Sequence, residues 1–450
     1  MDKLERIFDN LYESMSQPQT KRFKTAASQE GMDSLDLSEP LDIKPSGPQE
    51  EFELQSQIRP LFGKESVNNS PIGTHPDFIA LEGTDATQLH YACTIFVDIK
   101  GSTRLSLLYP LDFVFLFKNA VIKACIETIR SFDGHVHRLM GDAVMAFFGS
   151  NKTDKEDAIA DAINCCITLR TILEGSIKPW MEKRGLDSRD FGFRVGCDFG
   201  DDHEVLWGSF GYKNVGEVSA TGLPVDMASK LQGLAGKNQT MLGQGALDFV
   251  NWPEKYSEIK TREKGGEKEK LPIVTPSITN ADGTPLNYKM RLLSYEKSLE
   301  FSALPREIRQ KISGSQVIDH PLIKYKCYTV SEDHHQEYIS ASRFLEPHIS
   351  LKFEVTSLRS TRLNYPLKVS FRKTNHGQAT PEGERNVEQK ATHRQLDNPR
   401  NSPHRGAHSP YAQVELSEAT LYRGLHTMKC EVRDNNGALI FRDWIGVMIK

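Results

Sequence analysis

The sequence predicts a mixed α/β protein with two folded parts, a ferredoxin-like α+β sandwich followed by an all-β sandwich at the C-terminal end. Three observations predict it. From Tyr91 to about Val250, apolar strand-like runs alternate with long helical patterns in the order β-α-β-β-α-β. From Leu322 onward the helical period is largely lost, and alternating segments separated by turn residues replace it. Between them lies a charged, punctuated stretch. The expected divisions are an N-terminal segment (1–88), the α/β part (89–250), a charged extension and linker (251–321) and the β-rich part (322–450).

The elements follow in order. "DKLERIFDNLYESM" has the pattern of a short helix, and the Ser-, Pro-, Gln- and Glu-rich sequence after it is expected to be flexible or loosely packed. "YACTIFVDIKGSTRL" opens the regular region with an apolar, β-branched run that suits a central strand covered on both faces. "LDFVFLFKNAVIKACIETIRSF" reads as a long helix, with Pro110 just before it and Gly134 stopping it. "HVHRLMGDAVMAFFG" reads as two short strands joined tightly at Gly141-Asp142. Thr153 and Glu156 form a capping-box pattern opening a second long helix towards Met181. "FGFRVGCDFG" and "EVLWGSFG" are further strands, "LPVDMASKLQGLAG" a helix with Pro224 in its first turn, and "QTMLG" another strand. "KTREKGGEKEK" suits an exposed hairpin or loop and "LPREIRQKI" a short helix. "HISLKFEVTSL", "PLKVSFRKT", "GLHTMKCEVRD" and "ALIFRDWIGVMIK" suit the strands of a sandwich, interrupted by the polar insert around "EGERNVEQKATHRQLDNPRNSPHRG".

A length of 450 residues suffices for two or three cores, and the net charge of −4 with scattered Lys and Arg gives no reason to invoke nucleic acid as an obligatory partner. No run approaches the ~18 apolar residues of a membrane span, and no signal-peptide pattern opens the chain. The seven cysteines contain no CxxC pair and read as reduced, buried small hydrophobes. The expected location is the cytoplasm.

The chemistry centres on two acids. Asp98 interrupts an otherwise apolar strand that breaks at once into Gly101-Ser102-Thr103, a small-residue turn whose backbone amides suit an anion such as phosphate. Asp142 sits at the tight turn of the following hairpin, one helix away, a connection that can place the two strands side by side. Two carboxylates at one spot repel unless cations bind between them, and Mg²⁺ or Mn²⁺ with triphosphate oxygens would satisfy them. On spacing alone, two solvated acids remain the competing reading.

"FVDIKGST", the helix after it and "MGDAVMAFFG" resemble the catalytic domain of class III nucleotide cyclases, the adenylyl and guanylyl cyclase fold, over roughly Tyr91 to Gly243. The resemblance implies that Asp98 and Asp142, with the Ile99 carbonyl, hold two Mn²⁺ or Mg²⁺ ions. It implies a homodimer with sites at the interface, in which the ribose 3′-hydroxyl of a nucleoside triphosphate attacks the α-phosphorus and diphosphate leaves. The backbone of Gly101, Ser102 and Thr103 is the candidate phosphate cradle.

The later part departs from that pattern. Family members carry Asn and Arg on the helix equivalent to "LPVDMASKL"; here Asp226 stands at the ribose-binding position, and Lys230, a catalytic candidate, at the phosphate-contacting one. Lysine supplies a point charge without the arginine fork. At the base-reading positions, where adenylyl cyclases use Lys with Asp or Thr and guanylyl cyclases Glu with Cys, stand Arg138 and Ser219. By alternation Arg138 is expected on the same strand face as Val136 and Met140. A donor-only guanidinium matches O2 and N3 of cytosine, and Ser219 can accept from the N4 amine. Guanine also suits Arg, so a purine stays open.

The combination resembles the bacterial pyrimidine cyclases of Pycsar antiphage systems, which make cyclic CMP or cyclic UMP, and the β-rich end resembles the sensor-type module of some of these enzymes. This implies a lyase that favours CTP over UTP and whose product switches on a separate effector. A purine cyclase and a non-catalytic nucleotide-binding signalling protein are the rivals. "GLAGKNQT" lacks phosphate-loop spacing. "DHHQEY" is expected in a surface loop, and His135 and His137 facing a helix or solvent.

Overall fold

Strand β1 (Ala92–Lys100) is buried almost throughout because sheet neighbours flank it and both its faces are covered. The computed structural model describes residues 8, 9, 12, 52–212, 215–274, 278–332, 334–358, 360–398 and 411–450. After β1 come α1 (Ser102–Leu108), α2 (Leu111–Ser131), β2 (His135–Met140), β3 (Ala143–Phe148) and α3 (Lys155–Ile172). Then follow β4 (Gly192–Gly200), β5 (Leu206–Tyr212), β6 (Val215–Thr221), α4 (Leu223–Leu234), β7 (Gln239–Gly243), β8 (Ser257–Glu258) and β9 (Met290–Leu293). The main sheet has the order β2-β3-β1-β4-β7-β9-β8, and β4 and β7 run parallel.

The two faces of β1 follow strict alternation. Cys93, Ile95, Val97 and Ile99 join a core with Val114, Phe117 and Val121 of α2 and Ile159 and Ile163 of α3. Phe96 points the other way, to Met145, Phe147, Trp207, Val218 and Ala228, beneath α4 and the β5–β6 hairpin. Gly196 lets α4 sit close, since a Cβ there would run into the Ala228 carbonyl oxygen and the Gln232 backbone.

The expected capping box does not form. Asp154 is the N-cap of α3, without a side-chain capping bond, and Thr153 pairs its hydroxyl with that of Ser150 at 2.8 Å. The helix continues through a π-helical turn, Leu173–Ile177, into Lys178–Lys183. Of the expected N-terminal helix, Phe8, Asp9 and Tyr12 lie among the described residues, and these three are helical. The Phe8 ring packs edge-on against Trp180 and Phe117. The segment before β1 is more firmly held than its composition suggests. Glu53–Ile58 is helical, and buried Arg59 donates to the Arg130 carbonyl at 3.0 Å and to Asp133 at 2.6 Å.

The C-terminal part is a two-sheet sandwich. Its strands are β10 (Ile323–Val330), β11 (His335–Tyr338), β12 (Phe344–Leu345), β13 (Ser350–Leu358), β14 (Leu367–Thr374), β15 (Thr392–Leu396), β16 (Tyr411–Ala419), β17 (Gly424–Arg433) and β18 (Leu439–Ile449). One sheet runs β11-β10-β13-β16 and the other β12-β18-β17-β14-β15. Residues His335–Tyr338 of "DHHQEY" therefore form an edge strand where the sequence reading expected a loop. The polar insert contributes β15, and its last part falls outside the described residues. "KTREKGGEKEK" forms an exposed hairpin, Lys260–Lys264 with Glu267–Leu271, and Arg306–Arg309 is a short helix, as expected.

The sandwich and the α/β layer share packing. Every residue of α3 from Ala158 to Leu169 is buried, because the sheet covers one side and the C-terminal part the other. Asn164 donates to the Ala341 carbonyl at 2.8 Å, and the Phe344 amide donates to Asp157 at 2.6 Å. Leu425 and Met448 join the same core as β1. All seven cysteines are free and buried, and no described helix is long and apolar enough to cross a membrane.

Candidate active site

The two acids meet at one corner of the sheet. Asp98 lies directly opposite Ala143, the residue after Asp142, and the Ile99 amide donates to the Asp142 carbonyl at 3.2 Å. Gly141, at φ +66°, makes the tight turn that presents Asp142. Ser102 is buried and its hydroxyl donates to the Asp142 carboxylate, so the turn after β1 and the β2–β3 turn are tied together. Gly101 takes φ +87°, and a Cβ there would come within 2.6 Å of the Asp190 carbonyl oxygen. Thr103 is exposed at the start of α1.

Arg194 completes this corner. It stands opposite Asp98 on β4 and gives that carboxylate two hydrogen bonds, from Nε at 2.8 Å and Nη2 at 2.5 Å, both to Oδ2. Sequence reading passed over it. The available signal was a lone arginine in the apolar run "FGFRVGCDFG", on the same strand face as Gly196 and hence beneath α4. The pair neutralises an acid that is 15% exposed.

The donor set fits a hard divalent cation. Two carboxylates and a nearby backbone carbonyl are oxygen ligands of the kind Mg²⁺ and Mn²⁺ prefer. Among the described residues, no group of three or more His, Cys, Asp or Glu converges on one point.

Arg138 is where the alternation argument fails. The β2–β3 register shifts between Val136 and Arg138: Val136 pairs with Ala146, whereas Arg138 pairs with Met145. His137 is the extra residue of a bulge, so Arg138 moves to the Met145–Phe96–Asp98 face and away from that of Val136. There it meets Glu217 of β6, with Nε donating to Oε2 at 3.2 Å and Nη2 bonded to Oε1. Ser219, two residues further along β6 and opposite Gly208, is buried. Asp226 and Lys230 are both exposed, one turn apart on α4, and no hydrogen bond or ion pair among the described residues joins either to Asp98 or Asp142.

Of the two settings expected for His135 and His137, solvent is excluded, since both are buried. His135 Nε2 and His137 Nδ1 converge on the Gly73 carbonyl at 2.8 and 2.9 Å. Burial lowers the pKa of both. They anchor the segment before β1 against β2.

The family model for the Adenylyl/Guanylyl and SMODS C-terminal sensor domain matches residues 294–450. A cytidylate cyclase of Escherichia coli is 41% identical over 423 residues, covering 93% of this chain and 92% of that protein. A cytidylate cyclase of Staphylococcus aureus is 32% identical over 450 residues, covering 99% and 96%. Among solved structures, the adenylyl cyclase CyaB from P. aeruginosa aligns with a TM-score of 0.37 and 18% identity, over 46% of this chain and 95% of that one.

The protein is a nucleotide cyclase whose residues 294–450 match a C-terminal sensor domain. The chain belongs to the cytidylate cyclase family. The sensor match begins upstream of β10 and takes in the helices Tyr295–Ser298 and Arg306–Arg309. The second is bound to the sandwich through Asp443, which Arg309 reaches at 3.0 Å.

Proposed function

We propose that the protein converts CTP to 3′,5′-cyclic CMP and diphosphate at two composite sites of a homodimer, with UTP the weaker substrate. The observation that carries this reading is the meeting of Asp98 and Asp142 at one sheet corner, tied by the Ile99 amide and the Ser102 hydroxyl. The high identity to cytidylate cyclases over nearly the whole chain supports the choice of base.

Asp98, Asp142 and the Ile99 carbonyl would hold two Mg²⁺ or Mn²⁺ ions, which when bound neutralise triphosphate charge and acidify the 3′-hydroxyl. Arg194, released from Asp98, turns its guanidinium to the phosphates. The backbone at Gly101, Ser102 and Thr103 flanks the same corner. Lys230 adds positive charge to the transition state and Asp226 orients the ribose, both reaching the site held by the other subunit. Arg138 and Ser219 contact the base.

A second copy of the chain is the occupant that suits the apolar surface near these groups. Leu139, Met140, Phe210, Tyr212 and Leu223 are all exposed, and Tyr212 is 86% exposed. In this reading the enzyme acts in the cytoplasm and its cyclic product serves antiphage signalling through a separate effector, a role that the match to a C-terminal sensor domain supports. Incubation of purified protein with each of the four ribonucleoside triphosphates and Mn²⁺ tests the reading: cyclic CMP should dominate, and dominant cyclic AMP or GMP would overturn it.

A further inference from the structure

We propose that Arg138 and Glu217 read the base as one unit, with Glu217 as a specificity-determining residue that accepts from the exocyclic amine of cytosine. This rests on the reading of CTP as substrate and Arg138 as a base contact.

A guanidinium carries five N–H groups in a planar fork. In the structure the Nε edge is taken by Glu217, with Nε donating to Oε2 at 3.2 Å and Nη2 bonded to Oε1. The end of the fork, one N–H on Nη1 and one on Nη2, is directed away from that edge. A ligand approaching end-on meets two adjacent donors and then, beside Nη2, a carboxylate oxygen. That order of donor, donor and acceptor complements cytosine, whose edge presents O2 and N3 as acceptors and N4 as a donor. Uracil presents O2, an N3–H and O4, so its N–H would face a guanidinium N–H and its O4 a carboxylate. Along their Watson–Crick edges adenine fills only two of the three places, with N1 and the N6 amine, and guanine sets its N1–H against the middle donor.

The surroundings hold Glu217 to this task. His137 lies behind it, its side chain fully buried, with Nε2 at 4.0 Å from Glu217 Oε2. Because His137 Nδ1 is bonded to the Gly73 carbonyl, the proton sits on Nδ1 and Nε2 is left without a partner. His137 thus offers the carboxylate no competing donor, and Glu217 stays on Arg138. Arg138 and Glu217 are 41% and 38% exposed on the catalytic face, open to a ligand. As an ordinary exposed ion pair they would add little stability.

The test is the initial rate of cyclisation against CTP and against UTP for full-length wild type, Glu217→Gln, Glu217→Asp and Arg138→Lys. Glu217→Gln should lower kcat/KM for CTP by about ten- to a hundredfold, lower it for UTP far less or raise it, and so cut the CTP:UTP preference at least about tenfold. Gln keeps one acceptor oxygen but sets an NH2 group against the Arg138 edge that both carboxylate oxygens of Glu217 face, whereas Glu217→Asp keeps both oxygens and the charge and should retain part of the preference. A Glu217→Gln enzyme with the wild-type CTP:UTP ratio, or with both nucleotides reduced alike, overturns the role of Glu217. It does so while the Arg138 reading stands, provided that Arg138→Lys loses the preference. An unchanged preference in Arg138→Lys overturns the Arg138 reading itself. The difference between melting-temperature shifts caused by CTP and UTP should fall in Glu217→Gln in parallel, and an unchanged difference counts against the proposal.

Discussion

Arg194 gives both of its hydrogen bonds to a single oxygen of Asp98, Oδ2, leaving Oδ1 free of it. A cation arriving with nucleotide would compete with the guanidinium for that carboxylate. Asp98→Ala should abolish cyclic product with either Mg²⁺ or Mn²⁺, and Arg194→Met should lower kcat/KM by roughly ten- to a hundredfold, the worth of one charged hydrogen-bonded contact. Product chromatography with melting curves checks both. Retained product in Asp98→Ala would remove the metal assignment.

Gly196 sets the height of α4 above the sheet. An added Cβ would strike the Ala228 carbonyl oxygen and the Gln232 backbone, neither of which is a flexible side-chain end. Gly196→Ala should destabilise the protein by roughly 1–3 kcal/mol. Activity should fall by more than the loss of folded protein explains, because Asp226 and Lys230 ride on that helix. Urea unfolding and specific activity of the folded fraction measure the two effects separately.

Asp198 is a buried acid. Burial raises its pKa to about 7, against the opposing effects of the Tyr288 hydroxyl at 2.6 Å and the Phe199 and Ala246 amides. The folded form therefore holds its proton more tightly than the unfolded chain does. Stability is greatest below the unfolded carboxyl value near 4 and declines as pH rises towards 7. Above that the penalty is constant, on the order of a few kcal/mol. Asp198→Asn cannot ionise, so its melting temperature relative to wild type should rise between pH 5 and pH 8. A difference that does not change with pH would show that Asp198 stays ionised throughout.

Asn164 couples the two domains in the core of α3. Its amide reaches the Ala341 carbonyl at 2.8 Å in a buried setting. Asn164→Ala strands that carbonyl and should cost about 1–3 kcal/mol. Loosening at this contact should speed proteolysis between the domains before it affects the catalytic core. Equal resistance in wild type and variant would indicate that the apolar contacts of Leu425 and Met448 hold the domains by themselves.

The succession of elements around Asp98 and Asp142 was legible because strand and helix periods are local, and Gly141-Asp142 marks its own turn. The sandwich strands were legible for the same reason. The capping box at Thr153 was misread because Ser150 offers its hydroxyl a competing partner. Arg138 was put on the wrong face because a bulge adds one residue without altering the local pattern, and one residue is half a strand period. Arg194 was missed because its meaning depends on the residue opposite it.

The sequence by itself determined the strands and helices around the two acids and the small-residue turn beside them, since each is set by neighbours within a few positions. Tertiary structure decided which cation faces Asp98, which acid holds Arg138 and why α3 is buried on every side. These depend on sheet register and on domain docking, where partners distant in the chain meet across a few ångströms and compete for the same charge.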